Sequence, residues 1–182
     1  DGFPSFLTTA ARRSSTGVGG DLTLKTNRLR LVDGGRVSTS TLGEGDAGDL
    51  RVQANLVEVV GVNPINGDPS SLLAQVDQSA MGNAGALTIE TDRLQLSNGG
   101  SISTSSQSVG QTAGDIEIIA DEAIVLDTHA SISSDTRGGQ GNINLATRLL
   151  LLQDSSTITT NASGPATGGN IDIEADFIVA AP

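Results

Sequence analysis

Residues 34–41, Gly-Gly-Arg-Val-Ser-Thr-Ser-Thr, return almost unchanged at 99–106 as Gly-Gly-Ser-Ile-Ser-Thr-Ser-Ser. A fixed period limits the possible folds more than any other feature here, because each repeat must bury its apolar face against the next repeat. Shifting residues 1–93 by 65 aligns Gly2 with Gly67, Pro4 with Pro69, Leu7 with Leu72 and Gly20 with Gly85 without a gap. The match runs on through Thr26/Thr91, Arg28/Arg93, Leu29/Leu94, Leu31/Leu96 and Gly35/Gly100. A weaker third copy begins at Gly141 and carries Thr-Ile-Thr-Thr-Asn-Ala-Ser at 157–163. Each long unit divides again. Starting glycines at 20, 48, 85, 114, 141 and 169 are separated by 28, 37, 29, 27 and 28 residues. The long step contains a turn-rich insertion, Gly-Val-Asn-Pro-Ile-Asn-Gly-Asp-Pro-Ser-Ser (61–71).

Within a step the apolar residues alternate. Leu22, Leu24, Leu29, Leu31 and Val37 follow Gly20; Leu87, Ile89, Leu94, Leu96 and Ile102 follow Gly85; Ile143, Leu145, Leu150, Leu152 and Ile158 follow Gly141. Period two over short runs is the signature of half-buried strands, and no helical spacing competes with it. Three runs per step, separated by Thr-Asn and Asp-Gly-Gly or Asn-Gly-Gly corners, predict three short strands around a triangle. Stacked triangles pair in parallel at about 4.8 Å. The expected fold is an all-β, right-handed parallel β-helix of about six triangular coils of roughly 28 residues.

The whole chain, 1–182, reads as a single β-helix segment of a longer array. Its double-coil units are 20–84, 85–140 and 141–182, and 1–19 form the end of a preceding coil. Leu22, Leu50, Leu87, Ile116, Ile143 and Ile171 are expected to form one buried ladder. Leu24, Val52, Ile89, Ile118, Leu145 and Ile173 form the next. Coil four carries one extra residue, which brings Ile124 and Leu126 inward. Arg93, Glu122, Arg148 and Asp176 are expected to stack as a column of alternating charge. The end coils leave unpaired strand edges, which points to head-to-tail contact with neighbouring solenoid segments.

Composition supports stacked narrow layers. The only aromatic residues are Phe3, Phe6 and Phe177, and the core must come from Leu, Ile, Val, Ala and Thr. Twenty-one acidic against ten basic residues argue against nucleic acid and anionic membranes as partners. The charge is uneven: residues 1–93 carry 8 basic and 11 acidic side chains, and residues 94–182 carry 2 and 10. Cysteine is absent, and no apolar run approaches the length of a membrane-spanning helix. Nothing at the amino terminus reads as a secretion signal, so the residues read as an internal stretch of a mature protein.

These motifs together, from Gly-Gly-Asp-Leu-Thr-Leu-Lys-Thr-Asn-Arg-Leu-Arg-Leu at 19–31 to the ending Gly-Asn-Ile-Asp-Ile-Glu-Ala-Asp-Phe-Ile-Val-Ala-Ala-Pro at 169–182, resemble repeats of large cyanobacterial exoproteins. Those exoproteins are filamentous-haemagglutinin-like and belong to the two-partner secretion class. The resemblance covers essentially the whole chain. It implies export by an outer-membrane secretion partner, display outside the cell or at its surface, and a role as an adhesin, matrix or filament component. Cell-surface or extracellular polysaccharides are the ligands it suggests. The amino-terminal secretion domain that such an exporter recognises is not among these residues.

Parallel β-helices also host polysaccharide lyases and hydrolases, which makes a carbohydrate-active enzyme the rival reading. Glycoside hydrolysis needs two carboxylates facing one substrate, about 5–10 Å apart. Asp21, Asp49 and Asp115 share one position in the repeat, with Asn142 and Asn170 continuing it. A position repeated at every corner favours a structural Asx role, and the chain has no Trp or Tyr to serve as a sugar platform. The expectation is therefore a non-enzyme with no catalytic residue and no cofactor. His129, the single histidine, takes the place of a corner glycine. Glu44, Asp46 and Asp49 in Leu-Gly-Glu-Gly-Asp-Ala-Gly-Asp (42–49) offer oxygen ligands for a loop cation. The tandem repetition that calcium-binding nonapeptides require is missing there.

Overall fold

A computed structural model describes residues 4–182. Gly2, whose match with Gly67 opens the repeat, and Phe3 lie outside the described residues. The described residues form twelve strands and no helix. Six short strands make one sheet: β1 (Phe6–Ala11), β3 (Arg36–Thr41), β5 (Ser71–Val76), β7 (Ser101–Ser106), β9 (Ser131–Thr136) and β11 (Thr157–Ala162). Six longer strands make the other: β2 (Leu22–Val32), β4 (Leu50–Val60), β6 (Leu87–Ser97), β8 (Ile116–Asp127), β10 (Ile143–Leu152) and β12 (Ile171–Ala180). Every neighbour pair is parallel, and each sheet runs in coil order. The fold is a parallel β-solenoid of six turns.

The coil has two sheets where the alternation predicts three sides. The first two predicted strands of each step are one strand, with the corner built inside it. In β4 the inward set runs Leu50, Val52 and Ala54, then resumes at Val57 and Val59. Two consecutive residues, Asn55 and Leu56, leave the buried set, and the parallel pairing skips Asn27 against Asn55. A strand that places two successive residues outside has turned its inward side without leaving the ladder. β6 does the same at Asp92 and Arg93.

Both predicted ladders form in register. Leu22, Leu50, Leu87, Ile116, Ile143 and Ile171 are successive partners, as are Leu24, Val52, Ile89, Ile118, Leu145 and Ile173. The four inner members of the first ladder are fully buried, and Ile171 in the last coil is 41 % exposed. Ile124 and Leu126 are fully buried as well. Leu7, Val37, Leu72, Ile102, Ile132 and Ile158 close the core from the short sheet. One continuous cluster from Val37 to Leu150 results.

Four of the five corners from long to short strand use two successive residues with positive φ. They are Asp33 and Gly34 (52° and 89°), Asn98 and Gly99 (52° and 81°), Thr128 and His129 (49° and 61°), and Asp154 and Ser155 (46° and 62°). Glycine and asparagine tolerate that region at least cost. The starting glycines meet a different constraint, close stacking. A Cβ on Gly48 would strike the carbonyl of Gly20, one on Gly85 that of Gly48, and one on Gly114 that of Gly85.

Candidate functional site

Polar columns on the coil surfaces repeat one chemistry from coil to coil. In the column after each starting glycine, Asp21 Oδ1 accepts the N–H of Asp49 at 2.9 Å, and Asp49 Oδ1 accepts the N–H of Ala86 at 2.9 Å. Asp115 Oδ1 accepts the N–H of Asn142 at 2.8 Å, and Asn142 Oδ1 that of Asn170 at 3.0 Å. Each side chain therefore caps a backbone donor of the next coil. Ala86 interrupts the column between Asp49 and Asp115.

A second column of the same kind runs three residues earlier. Asp46 Oδ1 accepts the N–H of Asn83 at 2.6 Å, and Asn83 Oδ1 accepts the N–H of Thr112 at 3.0 Å. Sequence reading missed it because its residue types differ. The signal was there: its steps of 37 and 29 match those from Gly48 to Gly85 to Gly114. The candidate cation ligands are divided by these columns. Asp46 and Asp49 each cap a different N–H of the next coil, and Glu44 is exposed, with its own N–H bonded to Ser15 O at 2.8 Å. The three are not assembled into a cation site. Among the described residues no group of three His, Asp or Glu side chains has a metal-binding arrangement.

The Ser/Thr runs divide between the two sides of the short sheet. Thr39, Thr41, Thr104, Ser106, Ser134 and Thr136 point inward and are buried. Two of these hydroxyls serve the loop backbone directly: Thr41 Oγ1 donates to Gly45 O at 2.7 Å, and Thr104 Oγ1 to Gly114 O at 2.5 Å, whereas Thr39 Oγ1 has no hydrogen-bond partner. With its proton committed to Gly114, Thr104 Oγ1 accepts from the Ser134 hydroxyl at 3.1 Å. Outward hydroxyls pair between coils, Ser38 with Thr8 at 3.0 Å and Ser133 with Ser103 at 3.1 Å. Leu73 occupies the rung between Ser38 and Ser103 and separates the two pairs.

His129 is exposed at its corner with φ of 61°, and its N–H donates to Asp154 O at 2.9 Å. Asp135 is occupied elsewhere, accepting from Asn161 Nδ2 at 2.7 Å. The insertion is pinned to the first coil: Asp68 pairs with Arg36 at 2.9 Å, and Ser70 Oγ accepts the N–H of Gly34 at 3.0 Å. The expected alternating-charge column breaks at Arg93, while Arg148 stays opposite Asp176 and lines one groove with it and Asp121, with no ion pair among them. The extra residue in β8 shifts the register, and Ala123 takes the rung opposite Arg93. The ion pairs among the described residues are Arg36–Asp68 and Arg28–Glu58, the latter at 2.6 Å. Arg28 donates to Glu58, and this hydrogen bond holds the Glu58 carboxyl below the usual carboxylate range.

An open groove of about 720 Å³ lies along the outside of the corner within the long sheet. Lys25, Asn55, Glu90, Asp92 and Asp121 line it, and Gln53 Nε2 donates to Glu90 Oε2 at 2.7 Å. The groove is open to solvent and lined mainly by polar and charged side chains. No protein-family model, curated protein or solved structure matches the chain.

Proposed function

We infer that the chain is a structural segment of an extracellular, fibre-forming adhesin or surface filament, a stiff β-solenoid rod that serves attachment to a cell surface or matrix. One observation carries the structural part of this reading. The repeated carboxylates that a polysaccharide lyase or hydrolase would need, Asp21, Asp49 and Asp115, are committed to backbone donors of the adjoining coil. Spent in that way these three hold coils in register instead of facing one another as an acid/base pair. The extracellular setting, and export through an outer-membrane partner, rest on the resemblance of the repeats to two-partner secretion exoproteins. Outward hydroxyls of the short sheet, such as Ser101, Ser103, Ser131 and Ser133, offer hydrogen bonds to extracellular polysaccharide.

The test pairs binding with turnover. The purified chain is incubated with neutral and uronate-containing polysaccharides, while adsorption and new reducing or unsaturated ends are measured. Adsorption without cleavage is the expected result. Cleavage that disappears in Asp49→Asn or Asp115→Asn would overturn the reading in favour of an enzyme.

A further inference from the structure

A second groove, of about 450 Å³, runs along the outward side of the short sheet and shares no residue with the one at the long-sheet corner. Gln75, Ser105, Asp135 and Asn161 line it as successive partners on β5, β7, β9 and β11. Gln107 and Arg137, just past the ends of β7 and β9, line it beside them. β5, β7 and β9 each have a paired neighbour on both sides, so this surface faces sideways from the stack. The Asp21 and Asp46 columns spend their side chains on the backbone of the next coil. Here the side chains of Gln75, Ser105, Gln107 and Arg137 make no hydrogen bond or ion pair among the described residues. Asp135 accepts from Asn161 Nδ2 through Oδ1 at 2.7 Å, and its Oδ2 is left to accept from outside.

We propose that this groove binds a neutral, extended polysaccharide lying along the rod axis, with Arg137 as donor and Asp135 as acceptor to its hydroxyls. This rests on the reading of the chain as a rod that attaches to extracellular polysaccharide. The side-chain chemistry matches a sugar hydroxyl, which both donates and accepts: glutamine amides and serine hydroxyls do both, Arg137 only donates and ionised Asp135 only accepts. The spacing matches as well. Successive rungs are about 4.8 Å apart, and an extended 1,4-linked chain advances by a similar length for each ring, so neighbouring rings meet neighbouring coils. Charge selects the class. The chain carries a net charge of -11, which repels a polyanion. Arg137 and Asp135 offset each other within the groove, which gives a polycation no net attraction there. A peptide fits less well, because strand addition needs a free sheet edge and the interior strands have none. The lining also has no apolar pocket to take the anchor side chains on which protein partners rely.

The experiment titrates the isotope-labelled 182-residue chain with cello-oligosaccharides, and separately with oligogalacturonates of the same length, and follows backbone amide signals by NMR. The glucan is expected to shift the amides of 103–107 and 135–137, with an affinity that is the same at low and high salt. Arg137→Ala and Asp135→Ala are each expected to weaken binding roughly tenfold, as for loss of one hydrogen bond to a charged group. Asp92→Asn, at the long-sheet corner, is expected to bind like wild type. Circular dichroism checks that each variant folds. Gln75→Ala, which removes no bond within the chain, is the second groove variant should loss of the Asn161 contact disturb Asp135→Ala. Absence of shifts, shifts centred on the long-sheet corner, preference for the galacturonate, or groove variants that bind like wild type would each overturn the assignment. Any of these without cleavage of the oligosaccharides would leave the structural reading standing. Cleavage would overturn that reading instead, so the two failures are distinguishable.

Discussion

Ile143→Ala and Ile171→Ala make the same chemical change on adjacent rungs of one ladder, with different expected results. Ile143 is fully buried, and Ile171 is 41 % exposed in the last coil. Truncation to alanine removes about three carbon groups, a transfer loss of ~2.4 kcal/mol at ~0.8 kcal/mol for each when fully buried. At Ile143 the layer is enclosed by Ile116 and Ile171 along the ladder. A cavity term adds to the loss there, for a total of about 3–4 kcal/mol. At Ile171 only about 60 % of the transfer term applies and no closed cavity forms, leaving ~1.4 kcal/mol. Nearest-neighbour coupling works in the same direction, because an interior coil holds two interfaces and an end coil one. With a urea slope of about 2 kcal/mol per molar, the midpoints should fall by roughly 1.5–2 M and 0.7 M. The measurement is urea unfolding followed by circular dichroism, at protein concentrations low enough to keep the chain monomeric. Equal shifts, or a larger shift for Ile171→Ala, would refute the layered-core argument.

Three further outcomes follow from the columns. Gly114→Ala places a Cβ against the Gly85 carbonyl and should cost roughly 1–3 kcal/mol, whereas Gly20→Ala, with nothing within 4 Å of its Cβ, should stay within about 0.5 kcal/mol by the same unfolding assay. Thr39→Val should raise stability by about 1 kcal/mol, because Thr39 Oγ1 is buried without a hydrogen-bond partner; Thr104→Val, which loses the bonds to Gly114 and Ser134, should lower it by about 1–2 kcal/mol. The Glu58 carboxyl, lowered chiefly by the hydrogen bond from Arg28, contributes stability that is complete above its unfolded value near 4.5 and is lost as pH falls through its lower folded value. The stability difference between wild type and Glu58→Gln should therefore be flat at neutral pH and shrink in acid; a difference that grows below pH about 4 would contradict the assignment.

The inward ladders were legible because a strand's period is two and the starting glycine fixes the phase, so +2 and +4 offsets identify Leu22 through Ile173 without alignment to anything else. The Thr-Asn stretch at 26–27 was misread as a break between strands. A strand that turns its inward side and a loop that ends a strand both appear as two successive polar residues, and only backbone pairing separates them. The column from Arg93 to Asp176 breaks at its first member for a related reason. The extra residue in β8 is absorbed next to the corner and displaces Glu122 from the rung of Arg93, whereas Arg148 and Asp176 keep opposite places. The Asp21 column was legible as an Asx position, and the Asp46–Asn83–Thr112 column was hidden by its changing residue type. Thr39 shows a limit of reading runs as units. Its hydroxyl is buried without a partner, although Thr104 in the same column of inward residues reaches Gly114 O.

A stack of like coils repeats one chemical choice at the strand spacing, and charge sets how long a choice can repeat. Two carboxylates one rung apart repel by about 1 kcal/mol in bulk water and by more near a low-dielectric surface. The column after the starting glycines avoids a longer run: Asp21 and Asp49 are followed by Ala86, and Asp115 by Asn142 and Asn170. Asparagine keeps the acceptor that caps the next N–H and drops the charge. Its amide also becomes a donor to the residue before it, as Asn142 Nδ2 does to Asp115 Oδ1 at 2.9 Å. The capping function thus persists along the rod while the charge is diluted. On the long sheet the opposite holds. Basic side chains gather on β2 and acidic ones on β12, and one end of the rod is electrostatically unlike the other.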